Sequence, residues 1–477
     1  MFEHQRGVIT PKPTSSSQAA CAWTMLGLLA AAGLTACGDD SASSTSDGAT
    51  ESETEGDSEP RLTWTRDIEP IVRTKCTKCH REGGIAPFSL EGYEAFTGLS
   101  SFLAPAIEDE VMPPWPPDNE CRAYKHTLSL SPEQQQTLLE YMAGEMPEGD
   151  PADAPPDEGP PDEELVPDVV IEMPESYTPS TSVEDDYRCF LIPWPEEIQD
   201  TRYITGTEIY PGETRIVHHV ITYAVTPADL PQYQALDDAE PGPGYTCFGG
   251  PGPTNGTARW VGGWVPGQVP FHAPSGVGQQ LDPGTTLVMQ VHYHPIGAEL
   301  TDRSSIGLEL ATAVDRRAEI LPLTDIAWLA SNGSMLIPAG EPEVTHEVRA
   351  DHSHPIIQSA VNRLGLAADA DLEIISAGMH MHLFGTRGRL EVGAPGGPQE
   401  CLLDIPRWDF NWQSNYIFEQ PVIFRSGQEI GVQCWWDNSA DNQPYVDGQP
   451  VESVDRDWGD GTLDEMCLGV LYVAESP

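Results

Sequence analysis

Apolar residues recur along this chain with two different periods, and the change of period divides it. In residues 61–148, Ile68, Ile71 and Val72 share one helical face that leads into Cys76, as a 3.6-residue turn dictates. Ser131-Pro132-Glu133-Gln134 then reads as a helix start. Ser131 can cap, Pro132 suits the first helical position and Gln134 completes a capping box. Leu138, Leu139 and Met142 give that helix an apolar face. From residue 169 the pattern shifts to short strand-like runs: 216–224, 286–293, 373–379, 388–392, 428–435 and 468–474. Gly, Pro, Asn and Asp turns separate many of them, a spacing that suggests sandwiches or jelly rolls. About 309 residues are too many for one sandwich. Two are therefore expected, divided near Thr312–Leu321.

Composition explains what separates these blocks. Residues 38–60 hold eight acidic residues and no basic one, and residues 149–168 hold eight acidic residues and six prolines. Neither segment carries enough apolar surface to offset its ordering entropy. The first is expected to be a flexible tether and the second a stiff linker. The 477 residues include 75 Asp and Glu against 24 Lys and Arg, a formal charge of −51. Nucleic-acid binding, which rests on cationic contacts to phosphate, is excluded.

The first 36 residues read as an export signal, with Arg6 and Lys12 ahead of an apolar run from Ala19 to Ala36. Leu34-Thr35-Ala36-Cys37 resembles a bacterial lipoprotein box, with Cys37 as the lipid-modified residue. That resemblance implies a protein of the bacterial cell envelope, lipid-anchored to a membrane and facing an oxidising compartment.

Cys76-Thr77-Lys78-Cys79-His80 is C-x-x-C-H. Two thiols on one turn attach a haem covalently, and the adjacent imidazole becomes an axial iron ligand. A zinc knuckle or a redox disulfide would use the same residues. A zinc site, however, needs a second ligand pair nearby, and the block offers only Cys121 and His126. Met112, in Met112-Pro113-Pro114-Trp115, is the expected sixth ligand, with Met142, Met146 and His126 as competitors. Together with residues 83–90, this stretch looks like the cytochrome c domains fused to bacterial copper monooxygenases.

Most histidines of the large block cluster. His380 and His382 present two imidazoles on one face if the strand is extended, and His292 and His294 could do the same. His218 and His219 are adjacent, so they can share a metal only if the strand ends, twists or bulges there. Met466 sits beside Cys467. Imidazole with thioether favours copper over zinc, because Cu(I) is soft. His272, His294, His346, His352 and His354 are read as hydrogen-bonded or exposed side chains.

The order of these motifs is His218-His219, then Leu-Val-Met-Gln-Val-His-Tyr ending at Tyr293, then His380-Met-His382, then Glu465-Met466-Cys467. It resembles the ascorbate-dependent type II copper monooxygenases, which include the peptidylglycine-hydroxylating and dopamine-hydroxylating enzymes. The resemblance spans most of residues 169–477. It implies one copper on His218, His219 and His292 that stores and passes an electron. It implies a second, catalytic copper on His380, His382 and Met466 that binds dioxygen. It further implies the disulfides Cys189–Cys247 and Cys434–Cys467, and leaves Cys121 and Cys401 either free or bridging the two blocks.

The fold class so implied is multidomain, a small all-α cytochrome c-like domain at 61–148 followed by two all-β jelly-roll-like sandwich domains at 169–315 and 316–477. The function implied is hydroxylation of a C–H bond of a small organic substrate with dioxygen. Two coppers and one covalently attached haem c would serve as cofactors, and the haem or an ascorbate-like reductant as one-electron donor. The peptide-hydroxylating enzyme places an Arg where Gly378 stands, and polar residues where Leu468 and Val470 stand. A more apolar substrate than a glycine-extended peptide fits better. The competing reading is an electron-transfer or copper-binding lipoprotein without oxygenase activity.

Overall fold

The structure, a computed structural model, describes residues 61–477 apart from 83, 85, 157–163, 184, 253–257 and 447–448. The expected export signal, Cys37 and the acidic tether lie outside the described residues. So does the middle of the expected linker.

The expected fold class is corrected. Among the described residues 34% lie in strands and 17% in helices, and no all-α cytochrome domain stands apart. The local helix signals do form helices, at Glu69–Lys75, Tyr93–Glu108 and Pro132–Ala143, and Ser131 makes the capping box. Between the last two runs a long stretch with four prolines, Pro113, Pro114, Pro116 and Pro117, carries no helical period. It leaves the helices and packs on the C-terminal β unit. Tyr124 is 3% exposed, belongs to the core of that unit and bridges to Phe418. Asp118 donates its backbone N–H to the Asp404 carbonyl, and Cys121 is bonded to Cys401. The helical segment is thus stitched into a mostly β structure.

Nor are the β units two independent sandwiches, because one nine-stranded sheet runs through both. Its path is Val169–Glu172, Ser305–Ala311, Arg202–Tyr210, Val277–Leu281, Arg316–Leu323, Leu468–Glu475, Leu372–His380 and Asn415–Phe424, with Phe271–His272 pairing off Arg202–Tyr210. The join is narrow. Arg316 pairs with Val277 and Arg317 with Gly278, in parallel. A five-stranded sheet covers the first half and includes Asp186–Pro193, Thr286–Tyr293, Val217–Val225 and Arg259–Trp264. A four-stranded sheet of Val344–Ala350, Glu429–Trp436, Gly385–Gly393 and Gln399–Ile405 covers the second. Ile204, Ile306, Val220 and Met289 fill the space between layers in the first half. Ile374, Leu471, Leu390 and Val432 do so in the second.

Strand period two decides what faces the gap between the halves. In Leu468–Glu475, Leu471 and Val473 enter the second core. Leu468, Val470 and Tyr472, one residue out of step, line a cleft instead. The end of the expected linker is also less free than its composition suggests, since Leu165 is buried.

Candidate metal centre

His218 and His219 lie at the start of Val217–Val225, beside His292 near the end of Thr286–Tyr293. Adjacent residues on a flat strand point apart, but the pairing register slips between Val217 and His219. That irregularity is what the sharing of a metal requires. His219 becomes the direct partner of His292, and His218 turns to the same side. The Nδ1 atom of His219 lies 3.3 Å from that of His218 and 3.2 Å from that of His292. The ligand atoms of all three lie within 4.8 Å of one another, close enough to hold a metal ion. Two nitrogens about 2.05 Å from one ion, at a bond angle near 105°, stand about 3.3 Å apart.

The proton positions agree with this. His292 Nε2 lies 2.8 Å from a carboxylate oxygen of Asp185, which can only accept, so the ring proton sits on Nε2 and Nδ1 carries a lone pair. Burial opposes charge on Asp185. Hydrogen bonds from His292, His294 and Thr462 outweigh it and hold the carboxyl well below the usual range. Three converging Nδ1 atoms cannot all be satisfied by sharing protons, whereas one cation satisfies them together. Tyr187 stacks flat on His292, with centroids 4.0 Å apart and an 8° angle.

The second group uses the opposite ring nitrogen. His380 ends its strand and His382 lies just beyond, with ring centroids 5.1 Å apart. His382 donates from Nδ1 to the Asp464 carbonyl at 3.1 Å. His380 Nδ1 lies 2.6 Å from Gln413 Oε1. Gln413 Nε2 donates to the Phe410 carbonyl, so its oxygen faces His380 and accepts. Both Nε2 atoms are left with lone pairs. Met466 lines the same cleft as these two rings, and the Cys434–Cys467 disulfide pins the next residue.

Burial, followed by neighbouring imidazoles, pushes His218 and His382 down to about 3 and His219 well below its ordinary value. Burial lowers His292 and His380 as well. All five rings are therefore neutral donors at neutral pH. A cleft of about 210 Å3 touches His218, His219, His380, His382 and Met466. Phe410 stands between the groups, stacked on His218 at 5.2 Å and edge-on to His382 at 6.0 Å. Three converging imidazoles suit copper, and two imidazoles joined by a thioether would suit it as well.

The structure brings the C-x-x-C-H residues onto one turn. The backbone N–H groups of Cys79 and His80 both donate to the Cys76 carbonyl. Among the described cysteines only Cys76 and Cys79 lie outside disulfides. His80 donates from Nδ1 to the Phe88 carbonyl at 3.1 Å, which leaves Nε2 open as an iron ligand would need. A second, smaller cavity has Cys79 and His126 on its wall, together with Gln413. Met112, like His80, is not on its wall, whereas Pro114 and Trp115 of the Met112 loop are. Met112 lies in the loop after Tyr93–Glu108, its backbone N–H donating to the Ala106 carbonyl. Cys189 is bonded to Cys247.

Sequence reasoning missed the residues that orient the ligands. Asp185 and Gln413 carry no motif of their own. His294, read as a bystander, shares Asp185 with His292 at 3.3 Å. Glu465 did have a signal, its place beside Met466. It is fully buried and accepts backbone N–H groups from His382, Phe384 and Met466. Burial pushes its carboxyl up to about 7.

No protein-family model matches the chain, and no curated protein matches it.

Proposed function

We propose that this chain is a copper-dependent monooxygenase that hydroxylates a C–H bond of a small organic substrate with dioxygen. In this reading His218, His219 and His292 hold one copper through Nδ1. His380 and His382 hold the other through Nε2, with the Met466 thioether. Bound copper supplies one-electron redox chemistry and the activation of dioxygen. The chain's own residues do the rest. Burial keeps the five imidazoles unprotonated. Asp185, Gln413 and the Asp464 carbonyl hold the ring protons of His292, His380 and His382 on the nitrogens that face away from the proposed metals. The single observation that carries the reading is that His218 and His219 of one donor set and His380, His382 and Met466 of the other line one cleft.

The reading extends to a haem c on Cys76 and Cys79, with His80 as axial ligand, serving as a built-in one-electron donor. Its support is that Gln413, the partner of His380, also walls the cavity beside Cys79. A lipid anchor on Cys37 in the bacterial envelope completes it. Three disulfides suit that oxidising compartment.

The test is oxygen uptake by the copper-loaded full chain with ascorbate and a panel of small organic compounds. One labelled oxygen atom should enter a compound, and Met466→Ala should abolish that incorporation while the three-histidine site keeps its copper. Uptake with no label in any product would leave an electron-transfer protein instead.

A further inference from the structure

The cleft between the halves has a floor, and the floor has a chemistry. Ser376, Gly378 and His380 pair with Tyr472, Val470 and Leu468 across two neighbouring strands, and Asn415 lies beside Gly378 on the next. Paired residues share a face, so the sheet lays an apolar strip directly beside His380. Gly378 has no side chain, and a Cβ there would meet the Ser414 carbonyl at 2.8 Å, so this part of the floor stays open. Trp260 and Trp264 also line the cleft. Among the described residues that line the cleft, none is Lys or Arg, and Asp460 is the only acid.

Two polar atoms on this floor are unmatched. Tyr472 is 3% exposed, yet its hydroxyl has no hydrogen-bond partner among the described residues. Asn415 donates from Nδ2 to Ser376 Oγ at 2.9 Å, while its Oδ1 has none. A buried hydroxyl left unpaired is costly, and native structures rarely tolerate it without a ligand to supply the bond. The two charges that act on Tyr472, Arg259 and Glu319, are already paired with each other at 2.8 Å, so a charged ligand group would find no free countercharge here, and burying it unpaired costs more still.

We propose that the cleft binds a neutral, mainly apolar molecule of about one-ring size. One uncharged polar group on it, a hydroxyl in the simplest case, accepts from Tyr472 and donates to Asn415. This deepens the monooxygenase reading by naming its substrate class and rests on it for the word substrate. The binding site itself does not.

The test uses three probes of one shape: benzyl alcohol, benzoate and benzylamine. Each is titrated into the metal-free full chain and followed by tryptophan fluorescence and calorimetry, since Trp260 and Trp264 wall the site. Benzyl alcohol should bind at least tenfold more tightly than either charged analogue. Tyr472→Phe, which keeps the ring and removes the donor, should weaken it roughly fivefold. Val470→Lys should reverse the preference towards benzoate, and circular dichroism checks that both variants fold. Equal affinities, preference for a charged probe, no saturable binding of benzyl alcohol, or indifference to Tyr472→Phe would each overturn the proposal. Copper analysis of the same samples separates the two ideas. Selective binding by a chain that takes up no copper would sink the oxygenase and spare the site. Copper uptake and hydroxylation of a charged compound would do the reverse.

Discussion

Asp185 is the residue whose removal best exposes how the three-histidine site is built. Its Oδ1 accepts from His292 Nε2 at 2.8 Å and its Oδ2 from Thr462 Oγ1 at 2.6 Å. Asp185→Ala removes the acceptor that holds the His292 proton away from Nδ1. The ring can then turn or change tautomer, so part of the population offers an N–H where a lone pair is needed. Losing such a supporting carboxylate typically costs about 10- to 100-fold in metal affinity, which is about 1.4–2.7 kcal/mol. Asp185→Asn keeps an accepting oxygen for His292 and turns an amide donor towards Thr462, whose hydroxyl can accept instead, so its loss should fall at or below the lower end. The assay is calorimetric titration of copper into metal-free full chain carrying His382→Ala, which leaves the three-histidine set as the intact one. Thr462→Val serves as control, because it breaks the Thr462 contact of Asp185 and leaves His292 held. An Asp185→Ala affinity within twofold of the parent would refute this account of the site, and so would an equal loss in Thr462→Val.

Other consequences follow from the packing. Both carboxylate oxygens of Glu465 accept from backbone N–H groups, so Glu465→Gln must set an amide donor against one of them. Urea denaturation of the metal-free protein should show a loss of about 1–3 kcal/mol, and an unchanged midpoint would count against the assigned contacts. Replacing Cys434 and Cys467 together with Ala frees a loop of 33-residue separation. Chain entropy puts the cost near 4 kcal/mol at most, and a loss below 1 kcal/mol in the same assay would contradict it. Burial opposes charge on Glu240, but the Thr246 backbone N–H and Arg188 hold its carboxyl below the ordinary range. A depressed carboxyl stabilises the fold above its unfolded value, about 4.3, and that contribution vanishes as pH falls through the folded value. Glu240→Gln should therefore be less stable than the parent above about pH 5, and the two should converge on acidification. A gap that widens in acid would show the sign to be wrong.

What the sequence made legible was local. The spacing of His380 and His382 and the adjacency of His218 and His219 were visible as pattern, including the need for an irregular strand that the slip at Val217/His219 supplies. The helix start at Ser131 was equally plain, because a capping box is written in four consecutive residues. The layout of the halves was not legible. Tyr124 finds Phe418, and Cys121 finds Cys401, across nearly 300 positions. No periodicity in residues 112–125 encodes that docking, so helical signals on either side predict a helical domain there. The long sheet escaped for a related reason. Among the described residues its two halves pair only through Arg316–Val277 and Arg317–Gly278, a contact too short to leave a pattern. Asp185, Gln413 and Phe410 act through other residues, and such roles have no spacing rule.

The central claim is that two separate copper sites share one cleft. Copper per chain, measured on the purified full-length protein together with His292→Ala and His382→Ala, tests it most directly. The expected result is two coppers in the parent and one in each variant, with a different spin-resonance spectrum surviving in each. A parent that holds no copper, or variants that each lose both ions together, would contradict it.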